Sequence, residues 1–273
     1  MVRLFLCHIT CDLFFCFFDE TIIFEIDLML EYLLVHNDFE DRDKYCITKG
    51  IPKTLNRVGV RKKMLMPLPY VLSKAIDDFF TIYVPAKSIS LYNEISLQLE
   101  LGLYLRNLYP NLYPKYKVEF ERNIKDFDKS GFSYVKKEID LVISDGDEKY
   151  AIELKFPRNG QYPEEMFEFI KDIQFMEEVK AHAGFKEAYC VTLVDDTNFW
   201  STGRAKTKLY QYFRQPVVPI PKGEAILRPT EKKGIPSVKV DHDYLIDWKP
   251  ITFSPLYPTV NPASCRYYII DVK

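Results

Sequence analysis

The sequence predicts an α/β protein, a mixed sheet flanked by helices, and three observations lead there. Residues Tyr134–Ser144 and Lys149–Phe156 read as two strands joined through Asp145-Gly146, a strong hairpin signal. A helix over Glu164–Ala181 separates that hairpin from Ala188–Val194, a stretch apolar throughout. A strand buried on both faces after a long helix implies a right-handed crossover onto the hairpin, hence parallel pairing. The composition, 47% hydrophobic and 28% charged, is that of a globular domain; it excludes a disordered tail, a collagen-like repeat and a small disulfide scaffold.

The remaining elements follow in order. Residues 1–63 form an N-terminal extension, apolar at first but interrupted by Arg3, Asp12, Asp19, Glu20, Glu25 and Asp27. Its longest charge-free run near the start, Leu4 to Cys11, is too short to span a bilayer, and Asp12 breaks the apolar stretch a secretory signal needs. One or two strands or a buried helix is one reading. Another is that native translation begins at Met64, just after Arg57, Arg61, Lys62 and Lys63. Residues 64–273 then form a single domain.

Within it, residues 69–83 read as a helix. Ser88 or Ser90 can cap a second helix running to about Asn107, ended by Tyr109-Pro110 and Tyr113-Pro114. Its stripe is Glu94, Leu97, Leu101, Tyr104 and Leu108, at spacings of three and four, so Glu94 lies in line with the apolar face. Lys117–Ile124 alternates as a strand, and Lys125–Gly131 is a charged turn. On the Glu164–Ala181 helix, Met166, Phe169, Ile170, Ile173, Met176 and Glu177 or Val179 lie near the inner side. Asp195–Thr202 is a loop and Ala205–Phe213 a basic, aromatic helix. Residues 216–273 are a proline-rich elaboration with short strands near Val238 and Leu245 and a last strand over Tyr267–Val272.

The net charge bounds the partners. With 37 Lys+Arg against 39 Asp+Glu the chain carries −2, so nucleic acid must be met by a local patch rather than by a polycation. Arg204, Lys206, Lys208 and Arg214, interleaved with Tyr210 and Tyr212, are the best such patch, although a solvated helix face has the same pattern. Lys115, Tyr116 and Lys117 are a second candidate. The six cysteines form no Cys-x-x-Cys pair and suit reduced, mostly buried thiols of a cytoplasmic protein. Cys7, His8, Cys11 and Cys16 fit no common zinc spacing, and neither a Walker-type loop nor a nucleophilic triad is present.

The hairpin holds the residues that carry chemistry. Strand side chains alternate, so Glu153 and Lys155 share a face with Ala151, while Tyr150, Ile152, Leu154 and Phe156 take the other. A two-residue turn makes Asp140 a diagonal neighbour of Glu153. A four-residue loop sets the two directly opposite, and a three-residue loop sends them to opposite faces. Facing carboxylates repel unless a proton or cation lies between them, and Mg²⁺ or Mn²⁺ suits oxygen ligands of this kind. Such an ion polarises a phosphodiester and acidifies a bound water, and Lys155 can orient that water or stabilise charge developing on phosphorus. Glu94 can reach the site from the preceding helix, and Gln174 can steady it from the following one. Glu138 shares the face of Asp140 as a further ligand or a solvated partner for a lysine. Asp195, Asp196 and Asn198 end a strand beside the site and suit turn chemistry.

The pattern Asp140…Glu153-Leu154-Lys155 with Glu94 upstream resembles the PD-(D/E)xK nuclease superfamily, the restriction-endonuclease-like fold. The stretches that carry it are NEISLQLEL, KKEIDLVISDGDEKYAIELKF and FIKDIQFM, within about residues 88–215. Among its members it is most similar to small uncharacterised prokaryotic ones, in which a strand such as YCVTLVDDTNFW follows the second core helix. The resemblance implies an αβββαβ core. It implies Mg²⁺ or Mn²⁺ held by Asp140, Glu153 and the carbonyl of Leu154, with Lys155 serving the attacking water. The implied activity is an endodeoxyribonuclease acting on DNA as a monomer or homodimer; the alternative is a catalytically inactive nucleic-acid-binding or partner-docking module of the same fold. One departure is that Ile139, not proline, precedes Asp140.

Overall fold

A computed structural model of the chain describes residues 68–112, 116–144, 148–158, 160–201, 207–229, 237–251 and 264–273. All belong to the unit Leu65–Lys273. The expectations for residues 1–63, the Cys7–Cys16 group included, lie outside the described residues.

The first helix, α1 (Leu68–Asp78), widens into a π-helical turn over Phe79–Tyr83 before α2 (Val84–Lys87). The widening falls where Pro85 enters: proline lacks an N–H and its ring excludes the carbonyl four residues back. The next helix, α3 (Glu94–Leu112), starts later than Ser88 or Ser90 would place it. Asn93 is the cap. Its side chain accepts the Ser96 N–H at 2.8 Å, and the Ser96 hydroxyl accepts the Asn93 N–H at 3.0 Å, a reciprocal capping box. Ser88 instead takes a left-handed conformation at φ 52° and ends α2. Pro110 does not stop α3, which runs two residues past it.

Three strands follow: β1 (Lys117–Asn123), β2 (Glu138–Ser144) and β3 (Lys149–Lys155). Then come α4 (Tyr162–Ala183), β4 (Glu187–Val194), α5 (Lys208–Arg214), β5 (Lys249–Pro250) and β6 (Arg266–Val272). The helix α4 complements its own dipole, with Glu164 and Glu165 in its first turn and Lys180 and His182 in its last. Gly184 closes it in the left-handed region at φ 68°, a conformation glycine adopts without steric cost.

The six strands form one mixed sheet in the order β1-β2-β3-β4-β6-β5. β3 and β4 are parallel, joined across α4, and the other neighbours are antiparallel. The sheet separates two apolar cores. On one face Leu141, Ile143, Tyr150, Ile152 and Leu154 meet α1 and α3 through Leu72, Ile76, Leu97 and Leu101. On the other, Val142, Ala151, Ala188 and Cys190 meet α4 through Met166, Phe169, Ile170, Ile173 and Met176. Ile220, Ile226, Val238, Val240, Tyr244 and Ile246 of the C-terminal part join this second core, tied by the bridges Ile220↔Tyr244 and Ile226↔Val238. Among the described residues no helix is long and apolar enough to cross a membrane.

Candidate active site

The hairpin register selects among the loop lengths. β2 and β3 pair from Ser144↔Lys149 to Leu141↔Ile152, so four residues connect them and the next position outward sets Asp140 opposite Glu153. Alternation turns both side chains, with Lys155, toward α4. The ladder stops there because the Asp140 side chain takes over a backbone donor: its Oδ2 accepts the Leu154 N–H at 2.7 Å.

Glu153 is 1% exposed and Asp172, on the buried side of α4, is 2% exposed. The ammonium of Lys136 lies between them, paired with Glu153 Oε1 and 2.9 Å from Asp172 Oδ1. Lys155 stands beside this group, 3.7 Å from Asp172 Oδ2 and 3.2 Å from Glu94 Oε1, and also donates to the Leu154 carbonyl at 3.2 Å. The other Glu94 oxygen accepts the Phe156 N–H at 3.2 Å, so the first turn of α3 is fastened to the end of β3. Gln98, one turn further along α3, donates to the Asp140 carbonyl at 2.9 Å.

Four carboxylates therefore meet two ammonium groups, a formal charge of −2 when all are ionised. Burial, against the pull of Lys136 and the Leu154 N–H, raises the Asp140 carboxyl from its ordinary 3.8 to about 6. Burial also raises Glu165, in the first turn of α4, against the pull of Lys155 and with Glu94 and Asp172 adding to the rise. Burial works to lower Lys155, but Asp172, Glu94 and Asp140 together hold its ammonium above its ordinary range. Two buried oxygens, Glu153 Oε2 and Asp172 Oδ2, accept no hydrogen bond. Hard oxygen donors with a deficit of two positive charges fit a divalent cation of the Mg²⁺ class. Among the described residues no three His, Cys, Asp or Glu side chains are grouped as metal ligands; Lys136 stands where the acidic side chains converge.

The structure thus brings together Asp140, Glu153, Lys155 and Glu94. It does not bring Gln174 to them. Gln174 donates to Glu178 at 2.9 Å and accepts the Lys239 N–H at 3.0 Å, holding the C-terminal elaboration to α4. Of the phosphate-facing patch, Arg214 is corrected. Arg214 is buried, donates to the Asn198 carbonyl at 2.9 Å and lies 3.9 Å over the Tyr210 ring. Lys208 is exposed but paired with Glu224 at 2.7 Å. Arg204, Lys206 and Lys115 lie outside the described residues, and Glu138 is exposed at the start of β2. Asp196 caps the short helical turn after β4, the turn chemistry expected of it, whereas Asp195 makes an ion pair with the distant Arg158.

Sequence reasoning missed Lys136, Asp172, Gln98 and Glu165. Asp172 carries a readable signal: with Phe169, Ile173 and Met176 it sits at spacings of three, one and four on the buried stripe, an acid in line with hydrocarbon as Glu94 is. Lys136 carries none, because it precedes β2 in irregular chain whose direction no periodicity sets. Compared with family models, with curated proteins and with solved structures, the chain gives no match.

Proposed function

We propose that the protein is a divalent-metal-dependent nuclease, hydrolysing phosphodiester bonds of nucleic acid, most readily DNA. The observation that carries this reading is the buried acidic surplus: Asp140 and Glu153 on facing strand positions, Asp172 across from them, and two buried carboxylate oxygens without a donor. An isolated buried carboxylate is expensive, and a structural ion pair needs no surplus. The element order from α3 to β4, helix, three strands, helix, strand, fits the αβββαβ core of the PD-(D/E)xK nucleases that these residues resemble.

In this reading Asp140, Glu153 and the Leu154 carbonyl would hold Mg²⁺ or Mn²⁺, which would polarise a phosphodiester and acidify a water. The chain does the rest. Lys155 is kept charged by Asp172 and Glu94 and is aimed from the end of β3, so it can orient the attacking water and neutralise charge on phosphorus. Glu94 is a positioning residue, since it grips both the Lys155 ammonium and the Phe156 N–H. Hydrolysis is direct, water replacing the leaving alkoxide without a covalent enzyme intermediate.

A second reading, a catalytically silent binding module of the same fold, has one observation in its favour: Lys136 already neutralises Glu153. Cleavage of plasmid, single-stranded DNA and RNA with Mg²⁺ or Mn²⁺ separates the two. Cutting that depends on the metal and is lost in Asp140→Ala and Lys155→Ala supports the nuclease. No metal-dependent cutting of any of the three substrates overturns it.

A further inference from the structure

We infer that Lys136 is a tethered counter-cation: its ammonium occupies the seat between Glu153 and Asp172 until a divalent ion displaces it into solvent. The inference rests on the metal-dependent reading above and adds to it a closed, metal-free state of the site.

The two lysines of the cluster are held differently. Lys155 is on a sheet strand and has three partners, Glu94, Asp172 and the Leu154 carbonyl, with 18% of its side chain exposed. Lys136 belongs to the irregular segment before β2, has 24% of its side chain exposed, and among the described residues its ammonium pairs with the two carboxylates and lies 5.8 Å from the Phe175 ring. The backbone beside it is fixed separately, since the Val135 N–H donates to Glu178 at 2.8 Å. The ammonium can therefore leave on its flexible four-carbon stem without unfolding the segment. Its departure would strand Glu153 and leave Asp172 with Lys155 alone unless another cation took its place, because removing one partner of a buried pair leaves an uncompensated charge. A divalent ion meets that requirement better than the ammonium does. Glu153 Oε2 and Asp172 Oδ2 accept no hydrogen bond while Lys136 holds the opposite oxygens, so Glu153 keeps one buried oxygen without a donor and Asp172 one that faces the Lys155 ammonium at 3.7 Å. Metal and ammonium thus exclude one another, and apparent metal affinity is lowered by the fraction of molecules in which Lys136 is seated.

The test uses the full-length chain and Mn²⁺ alone. Lysines are acetylated briefly with and without saturating Mn²⁺, and mass spectrometry compares Lys136 with the exposed Lys125. Calorimetry measures Mn²⁺ binding to the wild type, Lys136→Met and Glu153→Gln. The expected results are a severalfold rise in Lys136 labelling with Mn²⁺, and binding about tenfold tighter in Lys136→Met. Glu153→Gln should lose both the binding and the rise in labelling. Mn²⁺ that binds the wild type through Glu153 yet leaves Lys136 labelling unchanged overturns the inference and leaves the metal-dependent reading standing. Absence of Mn²⁺ binding in the wild type and in Lys136→Met overturns both. Should Lys136→Met fail to fold, the labelling of the wild type decides alone.

Discussion

The two faces of β3, drawn from alternate residues of one seven-residue strand, are built on opposite terms. Toward α1 and α3 the strand presents Tyr150, Ile152 and Leu154, all buried in hydrocarbon. Toward α4 it presents Ala151, then Glu153, then Lys155, and the apolar core gives way to buried charge within two residues. Only the first arrangement contributes to folding by area removed from water, roughly 25 cal/mol per Å². The second demands ion pairs, and even these leave oxygens unsatisfied. A chain that supports both on one strand is using the apolar face to stabilise a face that would otherwise be a defect. The general pattern is stability concentrated in one layer and spent in the next on buried charge.

Substitutions on each face can break or sharpen this contrast. The largest effect is expected on the charged face: Lys155→Ala should lower Mg²⁺-dependent cleavage by about 10³-fold, roughly 4 kcal/mol, while thermal unfolding shows a folded protein. A variant that cuts as fast as the wild type would leave Lys155 with no role in chemistry. On the apolar face, Ile152→Ala should cost about 2–5 kcal/mol in denaturant unfolding through a cavity under α3, and a loss below about 1 kcal/mol would show the face to be loosely packed.

Asp140→Asn sharpens the contrast with an opposite sign. Folded Asp140 keeps its proton up to about pH 6, whereas its ordinary value is 3.8, so the folded state binds more protons between those limits. Metal-free stability from this group is therefore complete below about pH 4 and falls as pH rises through about 6. Asn carries no titrating proton. Asp140→Asn should flatten that part of the stability–pH curve and stabilise the metal-free protein at pH 7 by about 1–3 kcal/mol, even as cleavage is lost. A metal-free variant less stable than the wild type at pH 7 would contradict this. The smallest effect, about 1 kcal/mol, is expected from Asn93→Ala, which removes the cap of α3 one residue from Glu94. A stability change without any change in Mg²⁺-dependent cleavage would show that the cap serves the helix alone.

What could be read from the residues tracks how local the cause is. Asp140, Glu153 and Lys155 were legible because strand parity and a turn signal are properties of a short stretch. Glu94 was legible because one acid interrupts an apolar stripe. Gln174 misled for the complementary reason. It lies on the α4 flank shared with Glu177, and that flank is covered by residues 239–244, which come from far along the chain and take up both side chains. Arg214 misled likewise: its position on a basic helix says nothing of the Asn198 carbonyl and Tyr210 ring that fold it inward. Ser88, Ser90 and Asn93 are all good caps, and the reciprocal Asn93–Ser96 bonds, which neither serine can form, decide among them.

One further consequence follows from the margins of the sheet. Among the described residues β1 and β5 are its edges. Within β1, Glu121 takes φ 48°, a left-handed conformation that non-glycine residues rarely adopt, between the paired positions Phe120 and Arg122. At the other margin β5 is two residues long and ends in Pro250, which offers no N–H. Glu121 thus interrupts the β1 margin and Pro250 withholds a donor at the end of β5, so strand-by-strand addition of copies at these two positions is blunted.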